Sequence, residues 1–384
     1  MNYNYSYWEV SSYFSCYDVL IIGSGIVGLS AAIHLKKSNS LLKVGILEKG
    51  LLPDGASTKN AGFACFGSVS ELLAQLKTSS EAEIRAVVDM RWKGLMLLKE
   101  LCGQELKFDP CGGFELFDIA NKDDFETCKQ QIPYLNKLLS DIVGSTDIYA
   151  VDTKKIPENG FRNVEFCIRN NFEGTVDSGS MMLSLIKTAV SLGVIIMNGF
   201  DVNDFEQKEN EIEVRSTKSD LFTTKKLLFA TNAFTSVLLP EVKILPGRGQ
   251  VMITKPINGL KIKGSFHIDK GYFYFRSVDN RILIGGGRNL DFLNEQTFEK
   301  GTSEIILSSL LKMLSEIILP NQTIEIDYTW SGIMGFGSEL LPEIREARPN
   351  IFCAVRCNGM GVAMGSLSGK IAAEMMVNDL NYAL

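Results

Sequence analysis

Residues 18–22 read Asp-Val-Leu-Ile-Ile, apolar at consecutive rather than alternate positions, which is the pattern of a short strand covered on both faces. Gly23-Ser-Gly-Ile-Val-Gly28 follows, then an apolar helical stretch through His34 and Leu35, then a second short strand over residues 43–48. This spacing predicts a βαβ unit of about thirty residues. Farther on, Ile84, Val88, Trp92, Leu95 and Leu98 share one helical stripe within residues 81–102, and Gly103 stands where that helix would stop. Helical spacing returns over residues 180–192, with Asp177 or Ser178 able to cap it and Gly193 to end it, and residues 194–197 form the next strand. The parallel architecture thus resumes after residue 170.

Between those stretches, and again from about 250 to 332, the period drops to two. Residues 251–255, 272–275, 281–285 and 324–330 read as antiparallel strands, with Val278-Asp-Asn280 as a hairpin turn. A strand at 226–230, another at 351–355, a glycine-rich turn and a helix over 366–376 close the chain. No internal repeat or low-complexity segment is visible, so the pattern predicts two lobes woven from non-contiguous segments. The fold class expected is α/β, α+β overall.

Composition narrows the function classes. The net charge of −6, without basic runs longer than pairs, gives no footprint for nucleic acid or an anionic membrane. Eight cysteines without a CxxC pair read as buried, reduced thiols, and two histidines, His34 and His267, make a metal site an unexpected feature. The apolar run over 19–35 has no Lys or Arg before it and is interrupted by glycines, so neither a targeting peptide nor a membrane span is expected. These features predict a cytoplasmic protein.

The candidate chemistry starts at the glycine turn. Gly23 allows the tight turn, Gly25 lets a pyrophosphate approach the backbone, and Gly28 lets helix and strand pack closely. The helix N-terminus suits the diphosphate, and Glu48, ending the second strand, suits a ribose 2′-hydroxyl. This motif serves FAD and NAD alike. Three later segments bear on the choice: the small, hydrogen-bonding loop Gly55-Ala-Ser-Thr-Lys-Asn-Ala-Gly62, the strand end Thr231-Asn-Ala233, and Asn358-Gly-Met-Gly-Val-Ala363. The first suits the face of a flat ring; the last would aim backbone N–H groups and a positive helix end at developing negative charge.

In these blocks the chain resembles the FAD-dependent amine and amino-acid oxidoreductases, the family of D-amino acid oxidase, glycine oxidase, sarcosine oxidase and γ-glutamylputrescine oxidase. Residues 18–48, Ala56-Ser-Thr-Lys-Asn-Ala-Gly62, Phe229-Ala-Thr-Asn-Ala-Phe234, Arg248-Gly-Gln250, residues 272–287, Trp330-Ser-Gly332 and the 358–363 turn carry the likeness, in the family's order. The resemblance implies a Rossmann-like FAD-binding lobe with a parallel sheet (residues 1–90, 170–245 and 335–384) and a substrate lobe on an antiparallel sheet (91–169 and 246–334). It implies hydride transfer from the carbon beside a substrate nitrogen to flavin N5, hydrolysis of the resulting imine, and reoxidation by oxygen or another acceptor. It assigns cofactor contacts to Gly23, Ser24, Gly25, Ile26, Val27, Gly28, Glu48 and Lys49, to Ser57, Thr58, Lys59, Asn60, Ala61 and Gly62, to Val202, Thr231, Asn232, Ala233 and Gly332, and to Asn358, Gly359, Met360, Gly361, Val362 and Ala363. It places Tyr272 against the substrate; beside that, Arg276, taken with Tyr272 as a catalytic candidate, and Arg288 are charged residues able to neutralise an acidic substrate.

The sequence also departs from the family. Met334 stands where glycine oxidase-like members carry a carboxylate-gripping arginine, and Leu283 where sarcosine oxidase-like members carry a lysine. Met360 replaces a common histidine, and Lys59 a common arginine. The covalent-flavin cysteine has no counterpart, so non-covalent FAD is expected. With Met334 offering no donor, glycine and simple D-amino acids are expected to be poor substrates unless Arg276, Arg288 or Lys59 reaches in. Two other readings stay open here: an NAD-dependent dehydrogenase, and a flavoprotein subunit without its own amine turnover.

Overall fold

In the computed structural model, which describes residues 5–14, 16–218 and 220–380, the run at 18–22 is strand Tyr17–Ile22, at the centre of a sheet with both faces covered. The order is Glu343–Arg348, Ile351–Val355, Leu221–Phe229, Tyr17–Ile22, Val44–Glu48, Ile195–Asn198, and the last five strands are mutually parallel. Val19, Ile21, Val44 and Ile46 point into a core shared with helices Ile26–Ser38, Glu81–Cys102, Ser178–Ser191 and Gly361–Leu380. Leu20, Ile22 and Leu47 point the other way, into a core with Val214, Phe222, Leu239 and Val242. A strand apolar at every position is required because each face buries its own set.

Three of the helices meet backbone to backbone. A Cβ on Gly94 would stand 1.9 Å from the Ala363 carbonyl oxygen, and one on Gly369 2.3 Å from that of Val27. Buried Ser366 donates to Gly94 O (2.6 Å) and Ser30 donates to Ser366 O (2.6 Å), so small polar side chains fill the crossings without orphaned groups. This close packing ties the start of the C-terminal helix to the start of the helix after the glycine turn.

The second sheet runs Ile326–Phe336, Leu245–Thr254, Arg281–Gly286, Phe273–Val278, Ser265–Ile268, Gly113–Phe117, Phe166–Asn170, Tyr149–Val151. It is antiparallel except where Ser265–Ile268 lies parallel to Gly113–Phe117. Asp279 and Asn280, with φ of 48° and 57°, make the left-handed two-residue hairpin turn between paired Val278 and Arg281. Two helices lie where a period of two was expected: Lys122–Val143 and Glu304–Met313. The first contains Pro133 and is polar outside the stripe of Phe125, Cys128, Ile132, Leu135 and Leu139. Helix Glu81–Cys102 runs unbroken through the expected lobe boundary at residue 90, and its Leu95 and Leu98 belong to the parallel-sheet core.

All eight cysteines are free; six are buried, Cys111 is half-buried and Cys16 is exposed. Among the described residues no helix is long and apolar enough to cross a membrane, and no cluster of three His, Cys, Asp or Glu has metal-binding geometry.

Candidate cofactor and substrate site

The glycine turn ends strand Tyr17–Ile22 and opens helix Ile26–Ser38, with Gly25 at the N-cap and no side chain of the turn capping it. The first-turn N–H groups therefore point outward. Ile26 N–H donates to Ser57 Oγ at 3.0 Å, so the hydroxyl of the next loop lies at the positive end of the helix. Gly23 adopts φ +102°, open to glycine alone, and a Cβ there would press on Ala230 O at 2.9 Å. Glu48 is buried, and its Oε2 accepts from Ser24 N–H (3.0 Å) and Ser24 Oγ–H (2.7 Å) while Oε1 accepts from Gly50 N–H (3.0 Å). Turn and acid are thus locked to each other. Lys49 pairs at the surface with Asp201 at 3.1 Å, and half-buried Val202 starts a strand that turns back beside Glu48, whose carbonyl accepts from Phe200 N–H.

The loop over 56–62 is clamped by helix Ser178–Ser191 on one side and by the antiparallel sheet on the other. Asn60 Oδ1 accepts from Gly62 N–H (2.9 Å) and Ser178 Oγ–H (2.7 Å), and Asn60 Nδ2 donates to Ser57 O (2.7 Å). Thr58 Oγ1 donates to Pro53 O at 2.7 Å. From the antiparallel sheet, Trp330 Nε1 donates to Lys59 O at 2.9 Å, and Arg276 Nη1 donates to Gly62 O and Val176 O, both at 2.9 Å. Ala61 packs on Val251 and Leu283. Gly332 leaves room for the Lys59 side chain, whose Cβ a methyl there would meet at 2.8 Å.

The far wall forms where strand Leu245–Thr254, strand Ile326–Phe336 and the start of helix Gly361–Leu380 meet. A Cβ on Gly249 would lie 2.7 Å from Met334 Cε, and one on Gly359 would lie 3.7 Å from Met334 Sδ and 4.0 Å from Phe336. Asn358, with φ 48°, fixes this turn by donating to Glu339 O (2.7 Å) and accepting from Gly337 N–H (3.2 Å). Met360 N–H donates to Cys357 O at 2.8 Å, Gly361 opens the helix, and Val362 and Ala363 are buried in the core. Thr231 Oγ1 and Thr235 Oγ1 bond at 2.7 Å, Asn232 Oδ1 accepts from Arg356 N–H (3.3 Å), and Ala233 is buried, so the strand end 231–233 backs the same wall.

Of the cations near these walls, Lys59, Lys300, Arg276 and Arg356 are committed. Lys59 pairs with Asp54 at 3.5 Å, and Lys300 pairs with the same carboxylate. Arg276 is buried beneath the loop on its two carbonyls, and burial pushes its guanidinium below the ordinary value. Arg356 lies 3.6 Å from Glu343. Half-buried Arg288 has no carboxylate within ion-pair distance among the described residues; its guanidinium stacks 4.0 Å from the Phe336 ring centre and 4.8 Å from that of Phe292. Tyr272, partly exposed, meets the Phe292 ring edge-on at 5.9 Å.

The glycine turn, Glu48 and the 56–62 loop are joined by the Ser24–Glu48 and Ile26–Ser57 hydrogen bonds, and the C-terminal helix packs on helix Ile26–Ser38. Arg276, expected at the substrate, lies behind the loop. The sequence reading missed the Trp330 indole N–H as a clamp, and also missed Phe336 and Phe292 as the stack around Arg288; the one available signal was Trp330 within the quoted Trp-Ser-Gly segment. His34 Nδ1 sits 2.8 Å from Ser30 O inside its helix. His267 is half-buried and edge-on to Phe63, 4.0 Å from the buried carboxylate of Glu173, and its Nε2 lacks a hydrogen-bond partner among the described residues.

Residues 18–375 match the DAO family description, FAD dependent oxidoreductase. The chain is 24% identical to a probable oxidoreductase OrdL of Haemophilus influenzae, covering 94% of this chain and 83% of that protein. It is 23% identical to the γ-glutamylputrescine oxidoreductase of Escherichia coli, over 94% of this chain and 84% of that one. The solved glycine oxidase of Geobacillus kaustophilus superimposes with a TM-score of 0.75 at 20% identity, over 95% of both chains, and shares the fold.

Proposed function

The chain belongs to the DAO family of FAD dependent oxidoreductases, and we propose that it oxidises the carbon beside the nitrogen of an amine or amino acid, yielding an imine that water hydrolyses, with FAD held non-covalently and reoxidised by oxygen or another acceptor. The family match sets aside the NAD-dependent alternative. The observation that carries the reading is the joining of the glycine turn to Glu48 and to the clamped 56–62 loop, with the C-terminal helix packed on the helix that the turn opens. These residues fit FAD: the uncapped start of helix Ile26–Ser38 suits the diphosphate, Glu48 the ribose, and the loop the face of the ring. The start of helix Gly361–Leu380 supplies a second positive end. When bound, the flavin supplies the acceptor for two electrons and a hydrogen; the chain has to bind, orient and exclude water.

Thiol chemistry supports the non-covalent attachment. Burial pushes Cys353 and Cys357, the cysteines flanking the C-terminal turn, up to about 11, and raises Cys65 well above the ordinary thiol value. None of these is a nucleophile at neutral pH. The test is to load the protein with FAD, precipitate it with acid, and separately bleach the flavin anaerobically with primary, secondary and amino-acid amines. Colour released into the supernatant and bleaching by at least one amine class are expected. Colour retained in the pellet overturns the attachment, and no bleaching by any amine supports a subunit without its own turnover.

A further inference from the structure

We propose that Asn170, Glu173 and His267 hold one water molecule behind the segment that leaves the 56–62 loop, and that this water lets the Glu173 carboxyl and the His267 imidazole share a single proton.

His267 and Glu115 are register partners on the face of the antiparallel sheet turned away from the Phe266 and Phe275 core, and on the same face Gly113 pairs with Ser265 on one side and Asn170 on the other. Gly113 puts no side chain into this face, and Glu173 takes the room: a Cβ on Gly113 would lie 2.0 Å from Glu173 Oε2. Ser68, Glu115, Tyr149, Asn170, Glu173 and His267 enclose a small cavity there, with about 10 Å³ open to the centre of a water, room for a single molecule.

Two polar atoms of this lining lack partners among the described residues. Asn170 is 3% exposed, and its Oδ1 accepts from Phe172 N–H at 3.0 Å, which fixes the unpartnered Nδ2 as a donor. The other is His267 Nε2, a buried atom of a half-buried ring, 4.0 Å from Glu173 Oε2 and so beyond direct hydrogen-bond reach. The neighbouring groups are engaged. Glu173 Oε1 accepts from Phe66 N–H (2.9 Å) and Gly67 N–H (3.1 Å), and Glu115 accepts from both Ser68 and Ser70. Tyr149 donates to Gly67 O at 2.7 Å, Arg91 donates to Glu71 (2.9 Å) and Phe66 O (3.0 Å), and burial keeps the Cys65 thiol protonated.

A donor from Asn170 requires an acceptor, which selects water over a metal or ammonium ion. Burial holds Glu173 as the acid, pushed up to about 8, and His267 neutral, pushed down to about 4. The carboxyl proton belongs on Oε2, since Oε1 faces two N–H groups. The water accepts from Glu173 Oε2–H and Asn170 Nδ2–H and donates to His267 Nε2, three bonds that satisfy both orphaned atoms and the carboxyl proton. Proton sharing balances: Glu173 gives one proton to the water, the water gives another to His267 Nε2, and carboxylate and imidazolium remain a neutral pair. Glu173 also carries Phe66 and Gly67, and the His267 ring meets Phe63 at 5.1 Å, so the proton's position bears on the continuation of the clamped loop.

The chain has two histidines, so their ring nitrogens can be followed separately by NMR across about pH 5 to 10, in the protein with and without FAD. In both states the His267 Nε2 resonance should take a step centred near pH 8 as Glu173 ionises, lost in Glu173→Gln, while His34 shows no step there. Crystal structures should show one water within hydrogen-bond distance of Asn170 Nδ2 in wild type and its loss in Asn170→Leu. A dry cavity, a cation in it, no step in wild type, or a step that survives in Glu173→Gln overturns the proposal. If Asn170→Leu does not fold, the wild-type density and the Glu173→Gln titration decide. The site stands or falls independently of which amine, if any, bleaches the flavin.

Discussion

Gly25 and Gly28 belong to one motif, yet the structure gives them separable roles. A Cβ on Gly28 would stand 2.0 Å from the carbonyl oxygen of Gly23, which is backbone and cannot swing aside. Reaching an ordinary contact of about 3.5 Å requires the helix start to retreat by roughly 1.5 Å from strand Tyr17–Ile22. Overpacking of this kind costs up to about 3 kcal/mol, offset by about 1 kcal/mol from replacing a helical glycine with alanine. Gly28→Ala should therefore lose about 2 kcal/mol and lower the melting temperature of the FAD-free protein by roughly 2 to 3 °C. A Cβ on Gly25 would meet only Ser57 Oγ, at 2.9 Å, and that hydroxyl can rotate away. At φ −72° alanine is unstrained, so Gly25→Ala should leave FAD-free stability within about 1 kcal/mol of wild type. The same methyl lies in the approach to the first-turn N–H groups and should weaken FAD binding by about 3 kcal/mol, roughly a hundredfold. Thermal melting without FAD, and FAD titration by fluorescence quenching, read the two effects independently. Equal melting losses in the two variants, or wild-type FAD affinity in Gly25→Ala, would refute the assignment.

Two further outcomes follow from other parts of the molecule. Burial pushes Glu173 up to about 8 against the N–H donations of Phe66 and Gly67, and pushes His267 down to about 4. A raised carboxyl contributes stability that is lost as pH rises from about 4.5 to 8, and a depressed imidazole contributes stability lost as pH falls from about 6.5 to 4, so their slopes oppose below 6.5 and only the Glu173 loss remains above it. The urea midpoint of wild type minus that of Glu173→Gln should thus fall between pH 6.5 and 8 by up to about 2 kcal/mol equivalent; a flat difference removes Glu173 as the cause. Trp330→Phe removes the indole donor to Lys59 O, and with it about 1 kcal/mol of loop restraint. FAD affinity should drop about fivefold with little change in FAD-free melting, and an unchanged affinity would show that the loop holds its shape without the clamp.

What the chain determined locally was legible in advance. Consecutive apolar positions can satisfy only a doubly covered strand, the glycine turn needs a positive φ at Gly23, and Asp279-Asn280 adopts the left-handed pair that a two-residue hairpin demands. Helix Glu81–Cys102 was marked by its stripe and by Gly103, because capping and amphipathicity act within one segment. Helix Lys122–Val143 was hidden because Pro133 breaks the pattern, and its polar faces read as neither period. The site was decided by long-range choices. Trp330 reaches Lys59 across 271 positions and Arg276 reaches Gly62 across 214, distances over which no sequence period operates. Charge shows this most clearly. The sequence offered Lys59, Arg276 and Arg288 as equivalent cations, and only the folded chain assigns Asp54 to the first, two carbonyls to the second, and Glu295 to Arg248 instead of the third. An ion pair depends on separation and desolvation, which do not exist until the chain has folded.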